Sequence, residues 1–394
     1  MKNQKGGNKA QVKSWLPVIG LTFSAFVFNT SEFVPIGLLS DIATDFQISE
    51  AHAGLLITIY AWVVALVSLP LMMLLSKLKY CKLLFMVIGL FIASHLLSAI
   101  ANTYLLLMIS RIGVACSHAI FWSIASPLAV QVAPNGQRSV ALSLLITGTS
   151  IAMIIGLPIG RIIGLHVGWR ATFFYIAVAA SVVLLLLVWI FPKVSGQNSI
   201  SLRELPSFLE KPALMGVFIL TLLLITAHYT AYSYIEPFLS QIAGLSDSWI
   251  TLVLMLFGLI GILGSVLFSR YYDRNSNLFI CFAIEGITVI LLLLNVSAFN
   301  AYTVITLCIF WGLAITLFNL AFQSQIIRIA PQATAIAMSV YSGIYNAGIG
   351  SGALIGGIVC SDLSISDIGY AGGTIAIIAS IYFLKKLLPL LKEQ

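Results

Sequence analysis

Glu32 sits in the stretch FNTSEFVPIGLL (residues 28–39), among residues otherwise suited to lipid. An ionisable group in such surroundings is costly, so it is a functional candidate by default. Arg111, Ala115, His118 and Trp122 recur at spacings of four, three and four. That pattern puts a guanidinium, an imidazole and an indole on one helical face, which lipid would not tolerate and which should line a polar interior. Counting the helical rise of about 1.5 Å per residue, Glu32 lies roughly 10 Å inside Leu39 and Arg111 roughly 12 Å inside Thr103. Similar depth makes an ion pair, fixed or switchable, sterically reasonable. Burial and a neighbouring guanidinium act in opposite senses on a carboxyl, so Glu32 is the expected proton carrier, with Arg111 and His118 as its partners. The competing reading makes Glu32 a cap at the outer end of its helix.

A second group, His228, Tyr229, Tyr232, Tyr234 and Glu236, concentrates polar aromatics over two helical turns, and His228 and Tyr232 share a face. Aromatic faces with hydrogen-bonding rims suit a sugar; they also suit a cationic drug through the ring quadrupoles. An interfacial aromatic belt is the alternative for Tyr234. Asn29, Tyr60, Asn319, Gln323, Tyr341, Tyr345 and Asn346 are further uncharged polar candidates, each of which also reads as helix–helix glue. Substrate contacts are therefore expected from Asn29, Tyr60, Trp122, His228, Tyr232, Glu236 and Asn346. The run Gly156-Leu157-Pro158-Ile159-Gly160 implies close packing and a bend. Arg161 competes with Arg111 as partner of Glu32, His95 reads as structural, and Glu285 has no assignable partner.

The elements that carry these residues follow from composition. The chain has 394 residues, 60% hydrophobic and only 8% charged, against about 25% charged in a soluble domain. That balance fits an integral membrane protein. The five cysteines show no CxxC pair and no histidine at ligand spacing, so neither a disulfide framework nor a metal is expected. On the scale of about 20 apolar residues per span, twelve spans are predicted, at 15–39, 51–75, 82–100, 103–133, 139–165, 169–191, 213–240, 248–269, 277–298, 301–329, 333–360 and 368–390. The long fourth and tenth runs leave room for kinks. The first run follows Lys2, Lys5, Lys9 and Lys13, but it has no small-residue cleavage site and reads as a retained helix.

With the N-terminus cytoplasmic, seventeen of the twenty Lys and Arg residues fall on the cytoplasmic side, and the outer loops hold Asp41, Asp45, Glu50, Asp247, Asp362 and Asp367. The positive-inside rule supports that orientation, with both termini cytoplasmic, and the net charge of +7 is a feature of topology rather than of nucleic-acid binding. The polar segment 192–212 divides the chain into six spans and six. QVAPNGQRSVALSLL (131–145) echoes RIAPQATAIAMSVY (328–341), and Gly156/Gly160 then fall opposite Gly352/Gly356. The expected organisation is a cytoplasmic tail 1–14, a six-helix bundle 15–191, a cytoplasmic linker 192–212 and a second bundle 213–394. The fold class is all-α membrane protein, twelve helices in two pseudo-symmetric bundles. Such duplication points to a transporter with its substrate site between the halves.

The residues NTSEFVPIGLLSDIA (29–43), SRIGVACSHAIFWSIA (110–125), GLPIGRIIG (156–164) and AHYTAYSYIEPF (227–238) resemble the major facilitator superfamily, and within it the drug:proton antiporter branch. The resemblance covers nearly the whole chain. It implies a transporter, not an enzyme, that exports sugars or sugar-like compounds across a bacterial inner membrane as a monomer. It needs no cofactor and is driven by the proton gradient. Gly156, Pro158 and Gly160 then match the antiporter hallmark of the fifth helix. One departure is MLLSKLKYCK (73–82), where Lys77 stands in place of the family's usual acidic residue. A multidrug antiporter is the alternative. A channel would show filter repeats, and a nucleotide-driven pump would need a phosphate loop; neither motif occurs.

Overall fold

The computed structural model describes residues 2–75, 78–134, 137–192, 211–330 and 334–392, and the described residues are helical with no strand. Lys77 and most of the 192–212 segment lie outside them. The helices are α1 (Lys2–Gly37), α2 (Leu39–Phe46), α3 (Glu50–Leu75), α4 (Tyr80–Ala99), α5 (Tyr104–Val132) and α6 (Arg138–Ile151). There follow α7 (Leu157–Val167), α8 (Trp169–Ile190), α9 (Pro212–Tyr232), α10 (Ile235–Gln241), α11 (Asp247–Tyr271) and α12 (Ser276–Ser297). The last are α13 (Ala301–Ile329), α14 (Thr334–Asp362), α15 (Ile368–Tyr382) and α16 (Leu388–Lys392). They supply twelve segments long and apolar enough to cross a membrane, from Ser14–Gly37 to Ile365–Lys392. Large apolar side chains face outward, Trp189 at 87% and Leu66 at 74% exposure. That inversion is what a lipid-facing surface requires.

Local chemistry sets the helix ends. Thr103, Asn275 and Asn300 each place a side-chain oxygen on a first-turn amide, at 3.3, 3.0 and 2.8 Å, and so begin α5, α12 and α13. The long runs expected to hide kinks are unbroken helices, α5 and α13. Pro127 lies inside α5, and the irregular turns fall in other helices. A π-turn at Ala152–Gly156 joins α6 to α7, with the Leu157 amide bonding to Ala152 O. A second, at Phe383–Leu387, joins α15 to α16, with Leu388 bonding to Phe383 O. Each immediately precedes a Leu-Pro pair, Leu157-Pro158 and Leu388-Pro389. Proline removes a helical donor and its ring crowds the carbonyl four residues back; the wider turn relieves both effects.

The chain forms two compact units that do not follow its order. One comprises 1–34 and 66–199, the other 35–65 and 200–394. In the first, glycines let α6 and α7 approach α1: a Cβ on Gly148 would meet Thr22 O at 2.4 Å, on Gly156 Thr30 Oγ1 at 2.1 Å, and on Gly160 Val34 at 2.5 Å. In the second, α14 lies on α9 in the same way, with Gly352 against Thr226 O (2.5 Å) and Gly356 against Thr230 O (2.3 Å) and Tyr234 (2.8 Å). The partners correspond as well. Leu39-Ser40-x-Ile42-Ala43 recurs as Leu239-Ser240-x-Ile242-Ala243, and that shift of 200 (239 minus 39) carries Thr30 onto Thr230 and Val34 onto Tyr234. The glycine pairing expected from sequence is thus a repeated helix–helix contact.

The two glycine contacts differ in what must yield. Gly352→Ala drives a methyl into fixed backbone, whereas at Gly156 the methyl meets only side-chain atoms of Thr30, Oγ1 at 2.1 Å with Cβ at 3.0 Å and Cγ2 at 3.1 Å. Gly352→Ala is expected to lower stability by about 1–3 kcal/mol and Gly156→Ala by clearly less. Thermal unfolding of the purified protein in detergent checks the order.

Candidate functional site

In the first unit, polar groups from α1, α4 and α5 meet within the apolar bundle. Glu32 Oε2 lies 3.5 Å from His118 Nε2, with side chains 11% and 4% exposed. The next residue inward on the chain, Ser31, is fully buried and receives Arg111 Nη1 on its carbonyl at 3.2 Å, with its hydroxyl 3.4 Å from the same nitrogen. His95 Nε2 bonds that hydroxyl at 2.7 Å. Phe28 stacks between Phe91 (4.1 Å) and Phe121 (4.2 Å) and lies 6.2 Å from the His118 ring. Trp122 lies 6.1 Å from the same ring. The spacing of four, three and four on α5 therefore does place Arg111, His118 and Trp122 on one face. What the sequence missed is Ser31, which shares Arg111 with no charge of its own to signal it. It also missed the membership of His95, which is bonded into this cluster.

An acid and an imidazole this close exchange or share a proton with little motion. The permanent charge of Arg111 acts on Glu32, His95 and His118 alike. Arg161, the rival partner of Glu32, is also buried, on α7. Asn29 spends its amide on Ala25 O of its own helix, at 3.1 Å.

In the second unit, α9, α11 and α13 build an aromatic box. His228 stacks on Tyr232 at 5.0 Å, Tyr232 stacks on Phe257 at 4.6 Å, and Trp311 stands edge-on to all three at 5.4, 5.9 and 5.8 Å. Each distance lies in the range where aromatic pairs add stability beyond their buried area. Two buried polar atoms of this cluster, His228 Nδ1 and Trp311 Nε1, have no hydrogen-bond partner among the described residues, and neither does Asn346 Oδ1 on α14. Asn346 uses its other amide end on Ser342 O at 3.0 Å. Buried polar groups are normally bonded, so such atoms ask for a ligand or water. Phe257 and Trp311 escaped the sequence reading because α11 and α13 are apolar all round, which leaves no periodic signal.

Glu236 and Tyr234 lie apart from the box. The chain breaks after Tyr232, and on α10 Glu236 accepts the Ser40 amide, at 3.2 Å, in the first turn of α2. A carboxylate there complements the helix dipole. Tyr234 is fully buried and donates to Ala353 O at 3.0 Å, so it belongs to no interfacial belt. Tyr60 is buried on α3. Glu285 acquires a partner the sequence could not supply, a hydrogen bond from the Ser380 hydroxyl between α12 and α15.

Residues 21–353 match the model of the Major Facilitator Superfamily. The chain belongs to the Major Facilitator Superfamily. Solved structures agree with this. A bacterial homolog of the human lysosomal transporter Spinster, inward-facing and unoccupied, shares 15% identity at a TM-score of 0.78, covering 97% of this chain and 98% of its own. A POT family transporter in complex with 5-aminolevulinic acid shares 13% at 0.78, covering 97% and 96%. The peptide transporter POT in complex with sulfate shares 12% at 0.75, covering 95% of each chain. At these identities the likeness is one of fold. As a facilitator-superfamily protein the chain is a multi-pass secondary transporter that carries a small molecule across a bilayer.

Since Glu285 is satisfied by a neutral hydroxyl, Glu285→Gln can keep an acceptor for Ser380 and lose only charge. Its rate of transport and its dependence on a pH gradient are expected to match those of the unsubstituted protein. A gradient-insensitive Glu285→Gln in reconstituted vesicles would make Glu285 a coupling group.

Proposed function

We propose that this facilitator-superfamily protein is a proton-coupled antiporter of the drug:proton branch, exporting sugars or sugar-like compounds. The observation that carries the reading is the Glu32–His118 pair at 3.5 Å within membrane-spanning helices. A charge there is costly unless partnered, so gain and loss of one proton changes which conformation is favoured. Export requires that proton and substrate favour each other's release. The orientation with both termini cytoplasmic, in a bacterial inner membrane, is part of the same proposal and is supported by the charge bias of the loops. The division of the sequence into bundles 15–191 and 213–394 also belongs to the proposal and rests on the sequence repeat, while in the structure 35–65 packs with 200–394.

The aromatic box supports the sugar class. It combines aromatic rings with buried hydrogen-bonding atoms on His228 and Trp311, and α14 adds Asn346 Oδ1. A pyranoside offers an apolar face to the rings and hydroxyls to those atoms. A lipophilic cation would also find the ring faces attractive, which keeps a multidrug antiporter as the second reading. Counterflow in proteoliposomes, with and without an imposed pH gradient, across sugars, alkyl thiogalactosides and lipophilic cations separates the two.

Glu32→Gln, which mimics the protonated acid, is expected to abolish uphill transport while leaving downhill exchange largely intact. A variant that still concentrates substrate removes Glu32 from the coupling step. Trp311→Phe keeps the ring and deletes the N–H. It is expected to weaken sugar binding about tenfold, roughly 1.4 kcal/mol, the worth of one hydrogen bond. Titration calorimetry with the transported sugar measures the change, and unaltered affinity takes Trp311 out of the substrate contacts.

A further inference from the structure

In an α-helix the carbonyl of residue 31 accepts the amide of residue 35. Here residue 35 is proline, which has no amide hydrogen, and α1 runs unbroken through it to Gly37. The Ser31 carbonyl therefore loses its helical donor in the interior of the bundle, where an unmet backbone acceptor is costly. Arg111 Nη1 fills the vacancy at 3.2 Å. The hydroxyl of the same serine, 3.4 Å from that nitrogen, is held from its other side by His95 Nε2 at 2.7 Å. The His95 ring is itself fixed against Phe91 (4.4 Å) and Phe173 (5.7 Å), and the guanidinium lies 5.9 Å over Phe173.

We propose that Pro35, Ser31 and His95 are positioning residues that seat the Arg111 guanidinium beside Glu32. Pro35 frees the carbonyl and His95 orients the hydroxyl, so one residue of α1 receives the arginine while the next carries the proton. The consequence for Glu32 rests on the reading of that residue as the proton carrier.

The charged and titratable groups of the surrounding elements are Glu32 on α1, His95 on α4, and Arg111 and His118 on α5, with the buried Arg161 on α7; α8 contributes Thr172 and Phe173. A cation near a carboxylate favours its charged form. Loosening the seat lets the guanidinium move away, so Glu32 then keeps its proton at a lower proton concentration, and its midpoint moves to higher pH.

The test uses the full-length protein in lipid and the pH dependence of Glu32 modification by dicyclohexylcarbodiimide, which reacts with the protonated acid, read by mass spectrometry. Pro35→Ala restores a helical amide that competes for the Ser31 carbonyl. His95→Phe keeps the ring packing and deletes the bond to Ser31. Each is expected to raise the midpoint by about one pH unit, tenfold in proton concentration. His95→Gln, whose amide can reach the hydroxyl, should stay near the unsubstituted value. Midpoints unchanged or lowered in both Pro35→Ala and His95→Phe overturn the proposal, with thermal unfolding confirming that each variant is folded. The separate reading of Glu32 as the coupling acid fails through Glu32→Gln transport, so the two failures are distinguishable.

Discussion

A guanidinium cannot shed its charge, and Arg111 sits with 1% exposure inside a membrane-spanning helix. Everything in the first unit's polar cluster is arranged around holding that charge. Neutral oxygens of Ser31 receive one of its nitrogens, an aromatic face lies beneath it, and a carboxyl occupies the adjacent position of α1. Neutral acceptors matter here. Had a buried carboxylate been Arg111's whole partner, the two charges would form a closed pair with little to gain from a proton. With part of the arginine's demand met by a serine, the neighbouring acid stays available to His118.

The repeat shows that this arrangement belongs to one unit. The shift of 200 (239 minus 39) places Tyr232 where the first half has Glu32, and the Ala133-Pro134/Ala330-Pro331 register, a shift of 197 (330 minus 133), places Cys308 where it has Arg111. The same helix junction thus holds an acid and a base in one copy, and a phenol and a thiol in the other. The two equivalent frameworks thus carry different side chains: an acid, a histidine and an arginine in the first, an aromatic cluster in the second.

The sequence makes the spans, the shared face of Arg111, His118 and Trp122, and the glycine register readable, because each depends on spacing along one helix. Contacts between helices are not readable in the same way. Ser31 and His95 meet across α1 and α4, Glu285 and Ser380 across α12 and α15, and nothing in the local pattern of either partner announces the other. Phe257 and Trp311 are hidden for a different reason: in a helix apolar on every face, a ring that lines a site looks like one that faces lipid. Proline is a signal of another kind. Pro158 marks the π-turn of its helix, and Pro35 marks the free carbonyl at Ser31, both by the same missing hydrogen.

The segment 35–65 links the two units through the backbone. It packs with 200–394, yet it continues directly into α1 at one end and toward α4 at the other. Its contacts there are the Glu236–Ser40 amide bond, a Gln241–Glu50 hydrogen bond at an exposed position, and ring-on-glycine fits of Tyr234 against Gly54 and Trp62 against Gly350. Exposed polar contacts are individually weak, and a glycine surface offers no side chain to interlock. Glu32 lies within one helical turn of the point where α1 passes into this segment, so the acid of the first unit sits beside the backbone that enters the second.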